Sequence, residues 1–311
     1  MKKLSPYLAV LCLLLLLINP ALSFSGALGG LSLWGTVVVP TLLPFMICTG
    51  AVMGLGGAEL LARPFTPILG RFPGLSPSGS FALICGVLCG YPMGPKIDGE
   101  FLDSRQISAN EAKALLAFCS YPSPMFLAGY TMDCLKKAEI DCPLPALLAA
   151  VYLPALPLAF LARRRFLPSG RTFKTALAVQ EAKPQRPFSF DAHMMNSFET
   201  MIRIGGYIMF FSMAASFLER SFLPAGLSAL FSALMEMTTG IQAISKAFPS
   251  WAVRPLAAAA ASFGGISGIF QTKSVLKNPE LSIRDYVQWK CLHSSLSAAL
   301  MVLLQGMGAF S

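Results

Sequence analysis

The sequence predicts an all-α polytopic membrane protein made of two inverted-topology repeats, each holding a re-entrant hairpin and a broken transmembrane helix. Composition is the first ground. Of the 311 residues, 55% are hydrophobic and 13% charged, with a mean hydropathy of +0.63, whereas a soluble domain carries about 25% charged residues. Paired interruptions are the second. Apolar stretches break at Gly90-Tyr91-Pro92-Met93-Gly94-Pro95-Lys96 and Ser120-Tyr121-Pro122-Ser123-Pro124 in the first half. In the second they break at Glu236-Met237-Thr238-Thr239-Gly240 and Ser262-Phe263-Gly264-Gly265-Ile266-Ser267-Gly268. Irregular backbone persists at membrane depth only where protein buries it or it lines a cavity, and paired breaks in two halves mark a candidate binding site. Charge asymmetry is the third ground. Of the 24 Lys and Arg, eighteen fall in stretches assigned to the cytoplasm, five outside, and Arg203 within a span, the bias of the positive-inside rule.

The elements follow in order. Lys2, Lys3, the apolar Leu8 to Ile18 and Ala21-Leu22-Ser23 suit a signal peptide or a signal anchor over residues 1–25, and either reading leaves Gly26 outside. The first repeat, 26–165, opens with a span from Leu31 to Leu55. A hairpin over Gly79 to Met93 follows, then a polar stretch from Lys96 to Glu111. A helix capped by Ser108 or Asn110 begins near Glu111 and breaks at Pro122 and Pro124. Ser123 followed by Pro124 suits a restart, since the pair fills the cap and first helical positions. Asp133 to Cys142 makes an outside loop, and Pro143 to Leu161 crosses back. The linker, 166–191, is basic and cytoplasmic. The second repeat, 192–311, runs through a span at Asn196 to Leu218, a hairpin at Ala225 to Ser245, a broken helix at Leu256 to Val275 and a last span at Tyr286 to Leu304. Entering from opposite sides, the two repeats are inverted.

Several functions are excluded by the same residues. The net charge of +9 reflects the cluster Arg163, Arg164, Arg165, Arg171, Lys174, Lys183 and Arg186 after an apolar segment, which fixes topology and does not mark nucleic-acid binding. The eight cysteines show no two-residue spacing of a zinc or redox motif, and Cys85 and Cys89, one turn apart, suit small buried apolar groups. His193 and His293 stand alone, so no metal site or cofactor is expected. No Ser/His dyad, zinc-protease helix or paired aspartates occur in the spans, so the protein is not expected to be an enzyme.

At the four breaks the sequence resembles the nucleoside-recognition, or Gate-domain, membrane proteins, and among them the sporulation integral membrane proteins of the YlbJ type. The residues that carry the resemblance are Gly90 to Lys96, Ser120 to Phe126, Glu236 to Gly240 and Phe263 to Gly268, in order over about 190 residues. What the resemblance implies is a fold like that of concentrative nucleoside carriers, with two hairpins and two broken helices meeting at mid-membrane. It also implies transport of dipicolinate, a small aromatic dicarboxylate, across the bacterial cytoplasmic or outer forespore membrane. The expected partners are that anionic solute and the lipid bilayer, with a homo-oligomer or sporulation membrane proteins as further candidates. A nucleoside-like solute, or a structural role without transport, are the alternatives.

An anion requires positive potential and donors in a site that excludes bulk water. Half-helix N-termini provide both, and here they are expected after Ser123 and Ser267, with hydroxyls from Ser120, Thr238 and Thr239. Pro92, Gly94, Gly264 and Gly265 shape the breaks. Gln271 lines the path, and Lys96 stands at the cytoplasmic mouth either as a binding charge or as a snorkelling topology marker. Glu236, a carboxylate at the tip of an apolar hairpin, is the sharpest candidate. Its competing role is to bond Arg203 or backbone N–H groups. Glu199 and Arg203, four residues apart, suit an intrahelical ion pair. Phe126, Phe263 and Phe270 are candidates for stacking on an aromatic solute.

Overall fold

The computed structural model describes residues 5–166 and 189–308, and most of the basic linker expected at 166–191 lies outside them. The described residues form helices and no strand. After α1 (Ser5–Ile18) comes α2, one helix over Pro20–Gly54. Two short helices, Ala58–Ala62 and Thr66–Leu69, lead to the first hairpin, whose arms are α3 (Pro77–Cys89) and α4 (Met93–Asp103). The first broken helix comprises α5 (Ala109–Leu115) and α6 (residues 124–137), followed by α7 (Leu144–Phe166). The second half repeats the order: α8 (Phe190–Glu219), hairpin arms α9 (Ala225–Met235) and α10 (Met237–Ala247), broken helix α11 (Ser250–Phe263) and α12 (Gly265–Val275), then α13 (Ile283–Gly306).

Among the described residues, four helices are long and apolar enough to cross a membrane: Pro20–Gly54, Leu144–Phe166, Phe190–Glu219 and Ser250–Val275. Spans α2 and α8, in corresponding positions of the two halves, cross at small residues. A Cβ on Gly26 would come within 2.8 Å of Met213 Cα, and one on Gly30 within 2.8 Å of Met209 Cα. Trp34 lies over Gly205 and donates from Nε1 to the Met201 carbonyl at 2.9 Å. Close backbone approach through Gly at i and i+4 is how apolar helices associate where lipid removes the hydrophobic drive.

Polar contacts sort the molecule into two ends. The linker end gathers Arg165 with Asp285 (3.6 Å), Lys113 with Glu280 (3.1 Å) and Asn278 with Asp103 (2.7 Å). The opposite end gathers Arg254 on the Asp141 carbonyl (2.6 Å) and Gln305 on the Trp251 carbonyl (3.2 Å). Hairpin α3–α4 opens at the linker end and hairpin α9–α10 at the other, so the halves are inverted.

Two boundaries differ most from expectation. The first span starts at Pro20, not Leu31, because the small residues Gly26 and Gly30 pack against α8 and continue the helix. The first hairpin extends to Asp103, so Lys96 to Asp103 is its second arm and not a polar loop. Polar residues are tolerated on that arm because protein, not lipid, surrounds it: Asp98, Gly99 and Phe101 are all buried.

Candidate functional site

All four breaks converge on one cavity. Its wall includes Gly90 and Tyr91 from the first hairpin, Pro122, Ser123 and Phe126 from the first broken helix, Glu236, Met237 and Thr238 from the second hairpin, and Gly264, Gly268 and Gln271 from the second broken helix. Apolar residues Val38, Leu42 and Ile208 of α2 and α8 close it. The open space is about 50 Å³, room for a few waters and less than an organic solute needs. The hairpin of each half meets the broken helix of the other. Tyr91 donates to the carbonyls of Ala261 and, at 3.0 Å, Ser262, while Tyr130 on α6 donates to the Thr238 carbonyl at 2.9 Å.

Each break is followed by a helix that restarts at the cavity. Ser123 caps α6, its Oγ accepting from Phe126 N–H at 3.1 Å, with Pro124 as the first helical residue. Glu236 caps α10, its Oε2 accepting from Thr239 N–H at 2.9 Å, from the Thr238 hydroxyl and from Thr239 Oγ1 at 3.2 Å. Gly264 ends α11 and precedes α12 at φ +83°, and Gly90 turns the first hairpin at φ +87°. Both are left-handed positions where a side chain is strained. Helices α4, α6, α10 and α12 thus present their N-terminal, positive ends at the break region.

The Ser120 carbonyl, at the break of the first broken helix, is met by Lys290, one of the eighteen basic residues counted to the cytoplasm from the sequence. Lys290, on α13, is 2% exposed. Its Nζ donates to the Ser120 carbonyl at 3.0 Å and to Tyr91 Oη at 3.2 Å, and lies 4.5 Å from the centre of the Tyr91 ring. No carboxylate among the described residues forms an ion pair with it. The Ser120 carbonyl, the Tyr91 hydroxyl and the Tyr91 ring face take the place of water around this buried amine. Tyr286, Lys290, His293 and Ser297 form a buried stripe at helical spacing. Tyr286 bonds Ser120 Oγ (2.9 Å) and Thr272 (3.1 Å), His293 bonds the Val151 carbonyl (2.8 Å), and Ser297 bonds Ser262 (2.8 Å). The signal was in the sequence as a polar stripe at i, i+4, i+7 and i+11 in an otherwise apolar span. It also explains why α13 is missing from the strongly apolar spans.

Of the expected site residues, Ser123, Glu236, Thr238, Gly264 and Gln271 line the cavity. Thr239 stands behind Glu236, with its hydroxyl 3.3 Å from Ser212 Oγ. Ser267 is buried in the first turn of α12, which starts at Gly265 and so precedes the expected restart, and it accepts from Gln271 Nε2 at 3.1 Å. Ser120 serves Tyr286 and Lys290 instead of the cavity. Pro92 caps α4, and Gly265 packs on the backbone of Met235 and Glu236. Gly94, with Gly86, makes room for the Cys119 carbonyl, which any Cβ there would strike. Lys96 lies away from the cavity, 3.9 Å from Glu100, in a polar cleft of about 160 Å³ at the linker end that Glu199 and Arg203 also line. Arg203 pairs with Glu199 and not with Glu236. Of the phenylalanines only Phe126 reaches the cavity, stacked on Tyr130 with ring centres 5.3 Å apart.

No protein-family model matches the chain. It is 25% identical to the sporulation integral membrane protein YlbJ of Bacillus subtilis (strain 168), over 92% of this chain and 78% of that protein. Its fold is similar to that of CNTnw, solved in an inward-facing substrate-bound state, with a TM-score of 0.51, 16% identity, and coverage of 100% of this chain and 87% of that one. The chain is therefore a multi-pass integral membrane protein with a fold similar to that of a concentrative nucleoside transporter, and its sequence is similar to that of the sporulation integral membrane protein YlbJ.

Proposed function

We propose that this protein moves a small organic anion across the membrane by alternating access, with dipicolinate as the solute to test first. One observation carries the proposal: interrupted elements from both halves meet at a single cavity with helix N-termini around it. Dipoles aimed inward stabilise negative charge where water is excluded, and Ser123 and Gln271 add neutral donors. The units that move against each other are the repeats 26–165 and 192–311. The small open volume, about 50 Å³, belongs to a closed arrangement that must open to admit solute.

A nucleoside-like solute is the second reading. Gln271, Thr238 and the carboxylate of Glu236 at the cavity offer both donors and acceptors, which suit a neutral polar ring as well. Uptake into liposomes of labelled dipicolinate, and separately of a labelled nucleoside, tests both. Saturable dipicolinate uptake that falls in Glu236→Gln and Ser123→Ala supports the anion reading. Uptake of nucleoside alone supports the second. Uptake of neither by folded protein, under imposed ion gradients, leaves a structural role in a sporulation membrane assembly.

A further inference from the structure

A second buried polar cluster lies between hairpin α3–α4 and α5, outside the cavity and nearer the linker end. Asp98 on α4 and Glu111 in the first turn of α5 are both 0% exposed. Neither carboxylate oxygen of Asp98 has a hydrogen-bond partner, and Oε2 of Glu111 has none. The buried hydroxyl of Ser80, on α3, is also unpartnered. Glu111 is held only through Oε1, which accepts from Ser76 N–H at 2.7 Å and fills the space a Cβ on Gly79 would need. Helix α4 runs out towards the linker end while α5 runs in from it, with Gly94 against the Cys119 carbonyl. Asp98 and Glu111 therefore both lie on the linker side of that contact, on helices α4 and α5 that pack against each other.

The surroundings supply no countercharge. Helix α4 packs against α3, α5 and α12. The titratable groups on these helices are the thiols of Cys85 and Cys89 on α3, Glu111 and Lys113 on α5, and Lys273 on α12, with the Cys119 thiol just past α5. Helix α5 also packs against α7, where Arg163 donates to the Arg71 carbonyl, Arg164 lies over the Phe160 ring and Arg165 pairs with Asp285. Lys113 is engaged at the surface with Glu280. On α4 itself, Lys96 is 3.9 Å from Glu100, and Lys277, beyond α12, also faces Glu100. No cation among the described residues pairs with Asp98 or Glu111. An ionised carboxylate buried without partners costs several kcal/mol, and two within reach of each other add repulsion. A proton removes both penalties and creates a donor where only acceptors stood. The described residues hold no group of three or more acidic, His or Cys side chains of the kind a metal ion needs.

We propose that Asp98 and Glu111 form a proton-binding site between the first hairpin and α5, occupied in the closed arrangement and emptied to the linker side when the hairpin moves. Helix α4 carries Asp98 and starts two residues after Tyr91, which lines the cavity, so solute movement and proton release share one rigid element. This coupling rests on the transport reading above.

Infrared spectroscopy of the purified protein in lipid, compared with Asp98→Asn and Glu111→Gln, tests the site without any solute. The expected result at neutral pH is a carbonyl stretch of a buried protonated carboxyl, lost or halved in either variant. Absence of that band, or its persistence in both variants, overturns the proposal. So does its loss on adding sodium or potassium, which would make this a metal-cation site. Dipicolinate uptake under an inward-acid gradient then tests coupling. One proton per solute raises the limiting accumulation about tenfold per pH unit, an effect Asp98→Asn should abolish, and gradient-independent uptake in the native protein overturns coupling. If the band behaves as expected but no solute is taken up, the transport reading fails while the proton site stands.

Discussion

Glu236 does two jobs with one carboxylate. It closes the first turn of α10 through Oε2 and places the one acidic side chain on the cavity wall. Glu236→Gln keeps a capping oxygen but removes the charge, and charge-assisted hydrogen bonds exceed neutral ones by roughly 1–1.5 kcal/mol. The variant should fold, shift Tm by only a few degrees, and cut solute uptake about tenfold; unchanged uptake would remove Glu236 from the site. Lys290 is a different kind of residue, buried with its Nζ on the Ser120 carbonyl and the Tyr91 hydroxyl. Lys290→Met matches its length without its donors and should lower stability by about 1–3 kcal/mol, read as a fall in Tm in detergent. The sequence exposed Glu236 because a lone carboxylate in an apolar hairpin has no inexpensive location. Lys290 escaped notice because a lysine near a span end reads as a topology marker. Only its spacing with Tyr286, His293 and Ser297 separates the two cases.

At the level of elements, the breaks and their order were legible because Gly, Pro and Ser act locally, through φ, a missing N–H or a cap. The length of the first hairpin was not. Lys96, Asp98 and Glu100 look like a loop when lipid is taken as the surroundings, and only tertiary packing shows that protein encloses them. The start of the first span was hidden in the same way, since Gly26 and Gly30 matter through α8, far along the chain. That crossing makes a prediction. Gly30→Leu must separate α2 from α8, where a Cβ already comes within 2.8 Å of Met209 Cα. Overpacking of this kind costs about 1–3 kcal/mol, so Tm should fall. Gly29→Leu, where a Cβ meets nothing within 4 Å, should leave it unchanged. Equal effects of the two would argue against the crossing.

On the scale of the molecule, the account is that two inverted halves hold one solute site between them, each hairpin bonded to the other half's broken helix. The most direct measurement is thiol labelling of two single-cysteine variants on a background without native cysteines, Ser123→Cys from the first half and Gln271→Cys from the second. Each would be probed in oriented vesicles with a membrane-impermeant reagent from either side, with and without dipicolinate. The account predicts that both positions react from both sides, and that one solute slows both reactions to the same half-saturating concentration. Reaction from one side only, or protection of one position and not the other, would contradict a shared, alternately exposed site.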